Sequence, residues 1–115
     1  MTTHRPTLLL ASPVPGFLRT PLEAAYDCVG LDALATRAGD VRAVVATGGV
    51  TIGADLLERL PRLEIVSLMA VGYDGVAVDA CRRRGIHVTN TPDVLTDDVA
   101  DLAVALVLMT SRRLG

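Results

Sequence analysis

Short apolar runs alternate along this chain with segments of helical period, and this alternation restricts the folds open to it. The apolar runs are rich in Val, Ile and Leu. They predict strands at residues 7–11, 43–47, 64–69 and 86–89, with a weaker strand at 26–31. Because the runs are continuous, we expect them to be buried on both faces, as the strands of a parallel sheet are.

Helices are predicted between the strands, at about residues 17–25, 32–37, 54–60 and 78–84. Gly85 follows the last of these and is expected to be its C-cap. The order βαβαβαβαβ predicts an α/β fold with a flavodoxin-like, doubly wound parallel sheet of five strands.

The last segment is predicted to be one long helix over residues 97–113. Thr96 is placed to cap its N-terminus, and the acidic residues of the first turn and the two arginines at the end complement the helix dipole. Residues 102–109 are all apolar, so no face of this helix suits water. We therefore expect the helix to be covered on several sides, and we expect the chain to be a piece of a longer protein.

The composition excludes several functional classes. Half of the 115 residues are hydrophobic and 21% are charged, which is enough to build a core and argues against disorder. A net charge of −2 and only three aromatic residues give no basic field and almost no stacking surface, so no nucleic-acid partner is expected. All 11 basic residues are Arg, which excludes Schiff-base chemistry and a phosphate-loop lysine within the chain.

Cysteine usage and apolar run length bear on location. Cys28 and Cys81 form no C-x-x-C pair, and no targeting segment is recognised, which fits reduced thiols and a cytoplasmic location. The three arginines after Cys81 leave a thiolate open as an alternative, although a helix residue beside a solvated basic face is favoured. The longest apolar run is well short of the roughly 18 residues that span a bilayer, so no membrane partner is expected.

Ligands of doubly wound sheets bind beyond the carboxyl ends of the strands, and two of the loops there carry unusual glycines. Gly72 follows the strand at 64–69 and leaves backbone amides bare, as in a nest that binds a carboxylate. Gly48 and Gly49 follow the strand at 43–47. An ordinary strand-to-helix turn and a flexible turn are the respective alternatives.

Three motifs give the chain a family resemblance. They are VGYD at residues 71–74, GIHVTNTPDVLTDDVAD at 85–101 and the arginine pair at 112–113. With them the chain resembles the substrate-domain part of the D-isomer-specific 2-hydroxyacid dehydrogenases, and most closely the NADPH-preferring glyoxylate, hydroxypyruvate and hydroxyphenylpyruvate reductases. The resemblance implies a substrate domain at residues 1–95 and an interdomain helix at 96–115 that leads to a dinucleotide-binding domain. It also implies a homodimer.

The resemblance implies roles for four residues. The amides of Val71 and Gly72 would hold the carboxylate of a 2-oxo acid, and Gly48 would lie over the distal end of the substrate and leave space for a larger one. Thr96 would face the nicotinamide of NADPH or NADH. The family's catalytic histidine, glutamate and arginine have no counterpart here, so no catalytic residue is assigned and the isolated chain is expected to be inactive.

A second hypothesis is a non-catalytic, flavodoxin-like module that binds small carboxylates. A phosphoacceptor receiver is excluded because Ser12 and Thr47 occupy the positions of its acidic residues and the chain has no lysine. A flavin site is disfavoured by Pro13 and Pro15, which lack amide donors. The acidic residues Asp97, Asp98 and Asp101 could suggest a metal site, but stabilisation of the helix dipole explains them better, and no metal is expected.

Overall fold

The computed structural model describes residues 4–115 and contains five strands and five α-helices over that range. The strands are β1 (Thr7–Leu10), β2 (Asp27–Gly30), β3 (Val41–Thr47), β4 (Ile65–Met69) and β5 (His87–Thr89). The helices are α1 (Gly16–Ala25), α2 (Leu34–Arg37), α3 (Ala54–Glu58), α4 (Val78–Arg83) and α5 (Thr96–Arg112). Short 3₁₀ turns at Leu31–Ala33 and Ala38–Asp40 flank α2.

All the strands are parallel, and their order across the sheet is β2-β1-β3-β4-β5. This is the order of the flavodoxin-like, doubly wound fold. The fold class predicted from the alternating apolar runs is therefore confirmed. A parallel sheet brings the carboxyl ends of its strands to one edge, which places the loops after β3, β4 and β5 side by side.

The two faces of the sheet are covered to different extents. On one face, which we name the closed face, Leu9, Val44 and Val66 pack against residues of α2, α3 and α4 in a continuous core. On the opposite, open face, α1 packs over the residues around Leu8 and Val45. At β4 and β5 the open face is only partly buried or exposed. The difference arises because three of the connecting helices lie on the closed face.

Most element boundaries lie within one or two residues of those predicted. Strand β3 begins at Val41, two residues before its predicted start, because Arg42 interrupts the apolar run while Val41 is fully buried. The helix predicted over residues 32–37 consists instead of two 3₁₀ turns around a short α-helix. Gly85 adopts a φ of +70° after α4, which suits its predicted place at the end of that helix.

Helix α5 departs most from expectation. None of its residues is buried, and the large apolar side chains from Val99 to Met109 are between 42% and 67% exposed. The cover expected on several sides is thus not supplied by residues 4–115. Among those residues, no helix is both long enough and apolar enough to cross a membrane.

The prediction that Thr96 caps α5 is wrong. Thr96 is the first helical residue, and the cap position belongs to Leu95, which makes no side-chain cap bond. The amide of Val99 donates to the Leu95 carbonyl at 2.9 Å, so the helical hydrogen bonding starts one residue earlier than the cap prediction requires.

Candidate carboxylate-binding cleft

A cleft of about 330 Å³ opens at the carboxyl edge of the sheet. Its walls are the loop after β3, at residues 47–51, and the loop after β4, at residues 72–76, with Leu68 and Ala70 between them. Asp74 is the one charged side chain that lines it. An anion in this cleft would therefore be held by main-chain amides and hydroxyl groups rather than by a cationic side chain of residues 4–115.

The two loops are joined below the cleft by a short parallel bridge. The Ile52 amide donates to the Gly75 carbonyl at 2.8 Å, and the Ala77 amide donates to the Ile52 carbonyl at 2.9 Å. Both Ile52 and Val76 are buried. This bridge fixes the distance between the walls, because each loop is hydrogen-bonded to the other rather than only to its own strand.

Gly75 makes this close approach possible. A Cβ added at Gly75 would lie 2.4 Å from the carbonyl oxygen of Val50, a distance that real side chains do not reach. The backbone there cannot move away without opening the bridge. A glycine is therefore required at this position by contact with the opposite loop.

Gly72 and Gly48, both predicted to bind substrate, line the same cleft from opposite walls. A Cβ at Gly72 would meet nothing within 4 Å, so the backbone is open to a ligand there. A Cβ at Gly48 would lie 3.5 Å from the Ala70 Cβ, an ordinary contact, so an alanine fits and only a longer side chain would fill the cleft. The φ of +83° belongs to its neighbour Gly49, which forms the turn.

The amides of Val71 and Gly72 have no protein acceptor among residues 4–115. Gly72 lines the cleft, whereas Val71 is 45% exposed and lies at its margin, between Ala70 and Gly72 in the chain. Two adjacent, unpaired amides beside the cleft form a site to which a carboxylate can bind.

The carbonyls of the same segment are fully engaged on the other side. The Thr91 amide donates to the Ala70 carbonyl at 2.9 Å, and Asn90 Nδ2 donates to the Val71 carbonyl at 2.8 Å. Asn90 was not singled out from the sequence. The signal that could have found it is its place directly after β5, where a carboxamide reaches the neighbouring loop.

Ser12 holds the start of the β3 loop. Its Oγ accepts a hydrogen bond from the Thr47 amide at 2.9 Å and lies 2.9 Å from Thr47 Oγ1. In the sequence, these two residues served only to exclude a phosphoacceptor receiver. In the structure they join the ends of β1 and β3 next to the cleft, and they fix where the turn at Gly48 begins.

Thr96, predicted to face a cofactor, is not brought into the cleft. It lies exposed in the first turn of α5, and the cleft is lined without it. The three aspartates of that helix form no metal-binding group, nor does any set of His, Cys, Asp and Glu within residues 4–115.

The cysteines are free thiols. Burial raises the pKa of both, and Cys81 is fully buried in the core of the closed face. A raised pKa favours the protonated thiol, so the alternative of a reactive thiolate at Cys81 is not supported.

Comparison with known proteins agrees with this arrangement. Residues 24–111 match the family described as D-isomer specific 2-hydroxyacid dehydrogenase, catalytic domain. Hydroxyphenylpyruvate reductase of Plectranthus scutellarioides is 52% identical over 72% of this chain and 26% of its own length. Glyoxylate/hydroxypyruvate reductase A HPR2 of Arabidopsis thaliana is 40% identical over 93% of this chain and 36% of its own length.

Solved structures share the fold. A 2-hydroxyacid dehydrogenase from Ketogulonicigenium vulgare superposes with a TM-score of 0.84 at 43% identity, over 96% of this chain and 37% of the other. The NADPH-dependent glyoxylate/hydroxypyruvate reductase SmGhrB of Sinorhizobium meliloti was solved with NADP and malonate. It superposes with a TM-score of 0.79 at 36% identity, over 92% of this chain and 34% of its own.

The chain thus spans little more than a third, at most, of the length of these relatives. Within that span the family match, the strand order and the superposition all agree. The chain belongs to the D-isomer specific 2-hydroxyacid dehydrogenase family.

Proposed function

We propose that this chain is the substrate-binding part of an NAD(P)H-dependent 2-oxo acid reductase, of the type that acts on glyoxylate, hydroxypyruvate or an aryl pyruvate. The observation that carries the proposal is the pair of unpaired amides at Val71 and Gly72 beside the cleft. The printed names of the relatives, which are reductases of these acids, support it.

In this proposal the main chain selects the acid. The amides of Val71 and Gly72 donate hydrogen bonds to the substrate carboxylate, and the opposite wall at Gly48 accommodates the rest of the molecule. Asp74 and Tyr73 are the titratable side chains that line the cleft, and only Asp74 is charged. No histidine or arginine lines it. Because the family resemblance implies a histidine as proton donor and an arginine that polarises the carbonyl, both are expected outside residues 4–115.

The cofactor is also expected to be held mainly by other residues. Within residues 4–115 no strand leads into a G-x-G-x-x-G turn at the start of a helix, so the chain lacks the usual pyrophosphate site. NADPH or NADH would supply the hydride. We propose residues 1–95 as the substrate domain and 96–115 as an interdomain helix, whose Thr96 lies near the nicotinamide.

The test is NADPH oxidation by the full-length protein with glyoxylate, hydroxypyruvate and hydroxyphenylpyruvate. Turnover is expected with at least one of them. Gly48→Val should raise the KM for hydroxyphenylpyruvate more than that for glyoxylate, because the added methyl groups fill the distal end of the cleft. Gly39→Val, at an exposed turn on the far side of the sheet, is the matched control. Equal effects on both substrates would contradict the assignment of Gly48.

One observation favours the second candidate, a non-catalytic module that binds small carboxylates: no histidine, lysine or arginine lines the cleft, whose titratable side chains are Asp74 and Tyr73. The same experiment separates the two candidates. Binding of oxalate, measured by calorimetry, without oxidation of NADPH by any of the three acids would favour the module.

We further propose that the full protein is a homodimer in which a second copy covers α5. The exposed apolar residues of α5 support this, because a helix without a polar face is unfavourable in water. Sedimentation should give twice the chain mass, and Leu106→Asp should shift the measured mass toward that of the monomer.

A cytoplasmic location is proposed from the free thiols and would be contradicted by recovery of the protein from an oxidising compartment.

A further inference from the structure

Two consecutive peptide groups of the β4 loop have their carbonyls bound to the same neighbouring segment. The Ala70 carbonyl accepts from the Thr91 amide, and the Val71 carbonyl accepts from Asn90 Nδ2. In a regular strand, successive carbonyls point to opposite sides, so only one of these two would face β5. The Asn90 side chain reaches the carbonyl that a regular strand would direct toward β3.

The direction of the carbonyls sets the direction of the amides. No cis peptide bond is present in the described chain, and in a planar trans peptide the N–H points opposite to the C=O. The Val71 amide shares a peptide group with the Ala70 carbonyl, and the Gly72 amide shares one with the Val71 carbonyl. Both amides therefore point away from the segment that contains Asn90 and Thr91.

The cleft lies in that direction. Strand β4 stands between β3 and β5, and the loop after β3 forms the opposite wall. The ladder between β3 and β4 ends at the pairing of Thr47 with Met69, so no strand amide or carbonyl competes for this space. Two successive amides that point the same way can converge on one anion, whereas alternating amides cannot.

We propose that Asn90 is a positioning residue for substrate binding, which orients the Gly72 amide toward the cleft through the Val71 carbonyl. The proposal rests on the proposed function of these two amides. Donation to the Val71 carbonyl also polarises the shared peptide group and makes the Gly72 amide a stronger donor. The Thr91 amide polarises the Val71 amide in the same way through the Ala70 carbonyl. Because the Thr91 donor is a main-chain group, only the Asn90 carboxamide can be removed by substitution.

The experiment uses the full-length protein and measures the Kd for oxalate, an unreactive analogue of a 2-oxo acid, with the KM and kcat for glyoxylate. Asn90→Ala is expected to raise Kd and KM about fivefold, the value of one hydrogen bond, while kcat changes less than about twofold. Asn90→Asp keeps the shape of the side chain, but an ionised carboxylate cannot donate a hydrogen bond. This variant should bind oxalate no more tightly than Asn90→Ala does.

Thr89→Val is the matched control. Thr89 Oγ1 donates to Ser67 Oγ at 3.2 Å, so this variant removes another side-chain bond between the ends of β5 and β4 without touching the two amides. It should bind oxalate as the wild type does. A second readout is the amide resonance of Gly72, which should move on addition of oxalate in the wild type and in Thr89→Val, and move less in Asn90→Ala. Thermal unfolding of each variant checks that it folds.

The outcomes separate the two proposals. If the wild type binds oxalate and Asn90→Ala binds it equally well, the role of Asn90 is overturned and the carboxylate site stands. If Asn90→Ala and Thr89→Val weaken binding equally, the effect is general loosening of the sheet edge and the role is again overturned. If the wild type binds no carboxylate, the proposed function fails and the positioning role fails with it.

Discussion

Helices α3 and α5 are opposite cases of burial in one chain. Helix α3 has five residues and fully buries Leu57, whereas α5 has 17 residues and buries none. Helix α3 lies between two adjacent strands, which hold it against the closed face. Helix α5 follows the edge strand β5 and leaves the sheet, so none of its apolar residues is buried by residues 4–115. Apolar content alone therefore does not determine which helix is buried.

The largest expected effect comes from core truncation. Leu57→Ala should lower the free energy of unfolding by about 3 kcal/mol, since it removes buried methyl groups and leaves a cavity. Leu106→Ala on α5 should change it by less than about 0.5 kcal/mol in the monomeric state. Urea unfolding measures both. A comparable loss at Leu106 would show that α5 is packed in solution and that the two helices do not differ in burial.

A smaller loss is expected where the two cleft loops meet. Gly75→Ala should destabilise the protein by about 2 kcal/mol and weaken oxalate binding, because its Cβ collides with the Val50 carbonyl and forces the loops apart. Gly16→Ala, at a helix start with nothing within 4 Å, is the control and should be close to neutral. Equal stability of the two variants would mean that the bridge is not rigid.

At the C-terminal end of α3, removal of two hydrogen bonds should lower the free energy of unfolding by about 1 kcal/mol. Arg84 Nη1 and Nη2 donate to the carbonyls of Leu57 and Leu60 at 2.5 and 2.7 Å, and so satisfy the C-terminal end of this short helix. Arg84→Met should cost about 1 kcal/mol in urea unfolding, a value reduced for solvent exposure. Arg83→Met, beside it and without such bonds, should have no measurable effect. If both variants behave alike, the tethering of α3 is not due to Arg84.

The smallest effect concerns acid sensitivity at the β2 edge. The hydrogen bond from Arg37 lowers the pKa of Asp27 below its ordinary value. A lowered pKa in the folded state contributes stability at neutral pH, and that contribution is lost as pH falls through the folded pKa. Between about pH 5 and pH 2, the Tm of Asp27→Asn should therefore fall less steeply than that of the wild type. Arg37→Met should show the same shallower slope, and an unchanged slope in either variant would contradict the assigned cause.

The sequence predicted those features that depend on local pattern. The alternation of apolar runs led to the correct strand order, and glycines after β3 and β4 led to the two walls of the cleft. The contact of Asn90 with Val71 joins residues 19 positions apart, and the Ile52–Val76 bridge depends on how two loops meet. Such contacts become visible only once the sheet has placed the loops side by side. At Thr96 the local pattern led to a wrong N-cap for α5, because a Thr followed by two aspartates is typical both of a cap and of the first turn of a helix.

Recognition of an acid by main-chain amides has an evolutionary consequence. Every residue except proline carries the same amide, so substitutions of the Val71 side chain do not remove the donor on which binding would depend. Such a site can drift in sequence while it keeps its preference for a carboxylate. Changes of substrate are then confined to the other wall of the cleft, around Gly48. A lineage with this architecture can therefore change which distal group of the substrate it accepts and still bind the carboxylate.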